Sequence, residues 1–252
     1  MFGTLRDGCP HKGVDYSSSQ RPKDFVAGVY GTVVEPEESG WGTIAVVPFA
    51  NPQYKIQYLH ASARYVSVGD VVQPWTLLGA TGDVAPPGSG ITGIHLHLQI
   101  QDVASPSTQP CWAGREFVDP ERWTITNPLI GTWHVNESAV VKGVTIERTK
   151  SITIFGDEIN SRVTGRSKVV AVYPSPSGKL YTAVENYEWN GRVVSHQKHA
   201  LVIETFKGTC NNTVNGAPSP WQCVAKPGVG ELTMTSATTV TFGDLSPWRK
   251  VP

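Results

Sequence analysis

Apolar and polar residues alternate along much of this chain with a period of two, the pattern of strands buried on one face. From Ile94 to Ile100 the alternation is unbroken, so the imidazoles of His95 and His97 look to one side while Leu96 and Leu98 look to the other. In the second half, runs at 151–155, 158–164, 168–173, 179–187, 200–206, 231–235 and 238–242 read as strands, punctuated by Gly and Pro-Ser turns at hairpin spacing. Amphipathic helical periodicity is nearly absent, so the chain is expected to be mainly β.

The pattern changes character after Asp119 and Pro120. We expect one domain over 1–120, a linker over 121–128 and a second domain over 129–252, and a length of 252 residues suits two domains. About eight short antiparallel strands in ~120 residues suggest that the second domain closes into a small up-and-down barrel, which removes exposed strand edges. A sandwich would show the same alternation. Gly131 and Trp133 at its start, and Trp248 and Arg249 at its end, resemble the ends of lipocalin-like barrels, where a tryptophan plugs one end beneath an arginine. A barrel of this size holds one small ligand or fills with side chains.

Charge narrows the function classes. Twenty-one basic residues balance 21 acidic ones. Neutrality argues against nucleic-acid binding, which calls for a clustered basic face. No apolar run reaches 18 residues, so no transmembrane helix is expected. The first nine residues lack the charged start and apolar core of a secretory signal. Four cysteines divide two and two between the domains. Cys210 and Cys223 bracket a turn-rich loop that a disulfide would close, at ~3 kcal/mol of loop entropy, and Cys9 and Cys111 flank the first domain. Paired, they fit an oxidising compartment such as the periplasm; the alternative is reduced, partly buried thiols.

Four of the seven histidines, His11, His60, His95 and His97, fall in three short stretches of the first domain, and Asp15 stands four residues after His11. Neutral imidazoles and a carboxylate are zinc ligands, and a catalytic zinc keeps three protein ligands and one open position. Gly13, between His11 and Asp15, gives the backbone freedom to turn both side chains toward one point. Taken singly, His-x-His on an apolar strand is as readily a structural pair as a metal site, and the pair His11 and Asp15 is a weaker signal still.

In combination they form an ordered series: His11, Gly13 and Asp15; the strand-like 26–34; Gly40, Trp41 and Gly42; Tyr58 and His60; Gly69 and Asp70; Gly79 and Gly82; Gly93, His95 and His97; then Asp119 and Pro120. Over the first ~120 residues this resembles the M23 (LytM/lysostaphin-like) zinc metallopeptidases. The chain departs from that pattern at Ala61, where leucine is common, and at Ile94, where proline is frequent. The resemblance implies an antiparallel β-sheet peptidase domain, Zn²⁺ held by His11, Asp15 and His97, and His60 and His95 as the two catalytic histidines. Cys9 lies two residues before His11 and is a soft donor, but the implied ligand set is complete without it.

The implied function is a zinc endopeptidase hydrolysing the peptide cross-links of bacterial peptidoglycan. Such enzymes divide between glycine-rich bridges and D-alanyl links to diaminopimelate, and we lean to the second. The segments 35–40 and 83–91 are candidate groove walls. The alternative is a non-catalytic protein whose M23 fold binds peptidoglycan or a partner. Expected partners are the wall peptide and, for an antibacterial effector injected by a secretion system or carried on a phage particle, a delivery or immunity protein. The site of action is the periplasm or the extracellular wall. For the barrel, wall binding, partner docking and a lid over the cleft are open readings. Tyr58 either orients substrate or packs in the sheet, and His134, His196 and His199 are expected to be ordinary histidines.

Overall fold

A computed structural model describes residues 1–6, 8–18, 21–38, 40–123, 127–175, 177–197, 200–206, 208–219, 223–242 and 247–251. The chain divides into two compact units, Met1–Pro128 and Leu129–Pro252. Residues 124–126 of the expected linker, and His199, lie outside the described set. Among the described residues every strand pairing is antiparallel, and the helical structure is one short turn at Pro110–Trp112. Among the described residues no helix is long and apolar enough to cross a membrane.

In the first unit a seven-stranded sheet runs in the order Arg115–Val118, His95–Pro106, Tyr54–Leu59, Ile44–Pro48, Gly31–Val34 and Val71–Val72, with Gly13–Ser17 laid along the start of His95–Pro106. A smaller sheet of Asp24–Val26, Leu77–Ala80 and Ala63–Arg64 accompanies it. Both contribute to one core. Phe25 and Leu78 from the small sheet meet Val33, Ile44, Val46, Ile56 and Ile100 from the large one, with Leu96 and Leu98 packed against them. That burial faces His95 and His97 the other way, as the alternation requires.

The second unit is a closed barrel of eight strands. Gly131–Val141, Val144–Ile154, Arg162–Pro174, Leu180–Gln197, Ala200–Thr205, Gly228–Ser236, Thr239–Phe242 and Trp248–Lys250 pair in sequence order, and the last closes onto the first. A hairpin of Thr209–Val214 and Ala217–Pro218 extends from Leu180–Gln197. The barrel interior is apolar, with Trp133, Ile152, Val163, Leu201, Leu232 and Met234 all buried. Two details differ from the sequence reading. The stretch around Gly165 continues a strand, because the Trp189 ring lies where a Cβ would stand, 2.1 Å away. The cation beside the buried Trp133 is Lys250, 5.5 Å from the ring centroid, while Arg249 is exposed.

Candidate metal centre and cleft

His97 sits directly opposite Asp15 in the pairing of His95–Pro106 with Gly13–Ser17, and this register brings the second pair of candidate residues to the first. His97 Nδ1 is 2.9 Å from Asp15 Oδ1 and 3.0 Å from His11 Nε2, which is itself 3.5 Å from the same carboxylate oxygen. Candidate ligand atoms of His11, Asp15 and His97 all lie within 4.8 Å of one another. Gly13 serves this approach in a way its sequence position did not show. Its backbone is not left-handed, but a Cβ there would fall 2.1 Å from Leu98 O and 2.9 Å from His97 Nε2, so any side chain would push the two strands apart.

Hydrogen bonds on the far side of each ring decide which nitrogen faces inward. His11 Nδ1 donates to Met1 O at 3.1 Å, His60 Nδ1 to Val84 O at 2.9 Å and His95 Nδ1 to Gly93 O at 3.0 Å. A carbonyl only accepts, so each of these Nδ1 atoms carries its proton and Nε2 is the nitrogen turned inward. His97 is turned the other way, with Nε2 3.1 Å from Gln99 Oε1 and Nδ1 at the centre. Arg6 Nη2 binds Asp15 Oδ2 at 2.7 Å and leaves Oδ1 facing the histidines. Burial raises the Asp15 pKa, but hydrogen bonds with His11, His97 and Arg6 outweigh it and hold the carboxyl well below the usual carboxylate range. Two imidazole nitrogens and an ionised carboxylate oxygen converging on one point form a donor set that fits a divalent cation with a position left open.

His60 and His95 flank this cluster, their ring centroids 4.6 Å apart. His95 Nε2 is 3.9 Å from Asp15 Oδ1, whereas His60 sits deeper at 2 % exposure. Burial pushes the His60 pKa below its ordinary value, His95 and His97 push the same way, and the Val84 hydrogen bond partly opposes them. His60 ends the strand Tyr54–Leu59 in a left-handed conformation, φ 68°, with its N–H donating to Trp41 O at 2.7 Å. A non-glycine residue held there costs about 1–3 kcal/mol, and such strain gathers at functional sites. The turn carries the imidazole out of the sheet, so His60 does not share a face with Tyr58. Tyr58 is buried at 4 %, stacks on Phe25 and donates its hydroxyl to Ala27 O, which is the packing alternative.

All five residues border one open cleft of about 250 Å³, joined by Glu38 and Ile91 from the two expected groove walls, by Trp41 and by Arg6. Sequence reasoning missed Arg6 and Gln99 and gave Trp41, part of the motif series, no place at the site, although Gln99 continues the His95 and His97 face at the same two-residue step. Elsewhere among the described histidines, His134 is exposed, and His196 Nε2 donates to Asp157 O at 2.6 Å.

Both cysteine pairs are disulfides, Cys9 with Cys111 and Cys210 with Cys223. The first fastens the His11 segment to the turn Pro110–Trp112, where Trp112 Nε1 donates to Pro10 O at 3.0 Å. It closes a loop with a sequence separation of 102. Replacing Cys9 and Cys111 together by serine is expected to lower the stability of the first unit by up to about 4 kcal/mol, read as a shift in its denaturant midpoint. An unchanged midpoint would show that the strand ladder alone holds the segment.

Residues 9–110 match the family model described as Peptidase family M23. No curated protein matches the chain in sequence. Among solved structures the chain is similar to the catalytic domain of EnpA, a prophage-encoded M23 protein from Enterococcus faecalis, at 20% identity over 48% of this chain and 86% of that one, TM-score 0.38. It is also similar to the catalytic domain of the antimicrobial peptidase lysostaphin from Staphylococcus simulans, at 27% identity over 39% of this chain and 72% of that one, TM-score 0.32. A longer lysostaphin structure aligns at 18% identity over 72% of this chain and 84% of that one, TM-score 0.34. The stretch that carries His11, Asp15, His60, His95 and His97 lies inside the match to Peptidase family M23.

Proposed function

We propose that the first unit is a zinc-dependent endopeptidase that cuts the peptide cross-links of bacterial peptidoglycan, with His11, Asp15 and His97 as metal ligands and His60 and His95 as the proton-handling pair. The observation that carries this reading is the convergence of His11 Nε2, Asp15 Oδ1 and His97 Nδ1 beside two further imidazoles whose ring protons are committed to Val84 and Gly93. Two nitrogens and one carboxylate oxygen are the donor types zinc takes in hydrolytic sites. When bound, zinc lowers the pKa of water to roughly 7 and polarises a carbonyl.

The remaining steps belong to the chain's own groups. Arg6 keeps Asp15 ionised and turned toward the histidines. The bare Nε2 atoms of His60 and His95 take the proton of the attacking water, return it to the leaving amine and, once protonated, donate a hydrogen bond to the developing oxyanion. Depression of the His60 pKa keeps that ring neutral and able to accept at neutral pH. Glu38 and Ile91 bound the groove in which the substrate peptide lies.

We assign the substrate to D-alanyl cross-links of diaminopimelate-type walls and the place of action to the periplasm or extracellular wall, as an exported antibacterial effector. Two disulfides in 252 residues suit an oxidising compartment. Within this scheme 1–120 is the peptidase, 121–128 the linker and 129–252 a barrel that holds the enzyme at the wall or docks a delivery or immunity partner.

The test is digestion of purified diaminopimelate-type peptidoglycan with and without a chelator, with released muropeptides identified by mass spectrometry. Conversion of cross-linked dimers to monomers, lost with chelator and restored by zinc, is the expected result. No conversion there but cleavage of a glycine-bridged wall would move the bond and keep the enzyme. No cleavage of either wall would overturn the proposal.

A further inference from the structure

Arg6 stands outside the matched residues 9–110, on the hairpin that leads into them. Leu5–Arg6 pairs with Cys9–Pro10, and Cys9 is tied to Cys111, so the hairpin is fastened to the first unit at its base. His11 closes the same hairpin: Gly3 N donates to His11 O and His11 N to Thr4 O, each at 2.9 Å. Mounted in this way, the Arg6 side chain reaches the candidate metal centre and still keeps 50% exposure. Its one ion pair among the described residues is with Asp15, Nη2 to Oδ2 at 2.7 Å. A guanidinium carries five N–H donors in a planar fork, so most of them remain for a second anion.

The space around Arg6 suits such an anion. A second cavity of about 430 Å³, walled by Ser17 and the segment 90–95, adjoins the cleft already described, and Arg6, Asp15, Ile91 and His95 border both. The two form one groove past the cluster of His11, Asp15 and His97, and its halves differ in charge. In the first half Lys12 is matched by Glu38, Nζ to Oε1 at 3.9 Å. In the second half, among the described residues, the only acidic side chain is Asp15, which Arg6 already engages. An arginine fork with donors to spare is the side chain best shaped for a carboxylate. The two classes of wall cross-link differ in just this group. In a D-alanyl link to diaminopimelate the leaving amine sits on a carbon that also carries a free carboxylate, whereas in a glycine bridge the corresponding carbon carries a neutral amide. We infer that Arg6 is a specificity-determining residue that binds this free carboxylate, with the diaminopimelate side of the substrate lying toward 90–95 and the D-alanyl side toward Glu38 and Trp41. One guanidinium then serves two carboxylates, Asp15 on one edge and the substrate on the other. The inference rests on the reading of the first unit as a wall peptidase and names the group that selects its substrate.

The experiment uses two cross-linked muropeptide dimers that differ only at the diaminopimelate carbon beside the scissile amide, one with its carboxylate free and one with that carboxylate converted to a carboxamide. The full zinc-loaded chain and Arg6→Gln are compared on both, and binding of each dimer to the metal-free proteins is measured by calorimetry. The parent is expected to cleave the free-carboxylate dimer with a kcat/KM about 10–100-fold above that for the carboxamide, the scale of a hydrogen bond to a charged group. Arg6→Gln is expected to cleave the two at similar rates. The preference is a ratio within one protein, so a change in Asp15 or in zinc binding caused by the loss of Arg6 affects both dimers alike. Binding to metal-free protein should show the same preference in the parent and lose it in Arg6→Gln. A parent that cleaves both dimers equally, or an Arg6→Gln variant that keeps the preference, would overturn the inference and leave the peptidase standing. A parent that cleaves neither dimer but binds the free-carboxylate one more tightly, through Arg6, would sink the D-alanyl peptidase reading and leave the carboxylate site standing. Neither cleavage nor preferential binding would overturn both.

Discussion

Replacing His97 by alanine is expected to abolish zinc binding and hydrolysis of cross-linked peptidoglycan together, while hydrogen-exchange protection in the barrel stays at the parent level. His97 Nδ1 lies 2.9 Å from Asp15 Oδ1 and 3.0 Å from His11 Nε2, so its loss leaves two donors where a catalytic zinc needs three. Hydrolysis should fall by at least the roughly 10²–10⁴-fold that loss of a single proton-transfer group costs, because the missing ligand takes the metal with it. The substitution also removes the partner of Gln99 Oε1, leaving a buried acceptor unsatisfied at a cost of about 1–3 kcal/mol to the first unit. The barrel has its own core around Trp133, Ile152 and Leu232, and that core contains no part of this network. A variant that kept parental zinc affinity and rate would show that the ligands have been misassigned.

The sequence was most legible where chemistry and period coincided. His95 and His97 alternate with Leu96 and Leu98, and the structure turns the leucines into the core and the imidazoles into the cleft. What one sequence does not carry is register across strands. Nothing local to Gln57, Gln99 and Gln101 says that they will meet, and the pairing of their strands turns three scattered glutamines into one hydrogen-bonded network. The same gap hid the purpose of Gly13, whose missing side chain is required by Leu98, 85 positions away in the chain and adjacent in the sheet. Tyr58 was ambiguous for a related reason. Its spacing to His60 implied a shared face, but the strand ends at Leu59 and the left-handed backbone at His60 breaks the alternation. In the barrel, Gly165 reads locally as a turn and proves to be a strand position that accommodates Trp189.

His60→Ala and His95→Ala separate the two tasks that the five residues share. Each variant is expected to bind one zinc with near-parental affinity and to lose hydrolysis by about 10²–10⁴-fold. The geometry supports this division. The ring protons of both residues are held by backbone carbonyls outside the ligand cluster, and their bare Nε2 atoms face the cleft, His95 Nε2 no closer than 3.9 Å to Asp15 Oδ1. Zinc stoichiometry by elemental analysis and single-turnover cleavage of a cross-linked muropeptide read the two quantities independently. Loss of zinc in His95→Ala, at the level seen for His97→Ala, would make His95 a ligand and undo the allocation of roles. The double variant is the sharper comparison, because groups that move one proton between them act as a unit and their losses do not add. With ring centroids 4.6 Å apart, His60 and His95 meet the geometric condition for such a unit. The double variant should therefore be about as slow as the slower single one, whereas a product of the two losses would mean that each imidazole stabilises the transition state on its own.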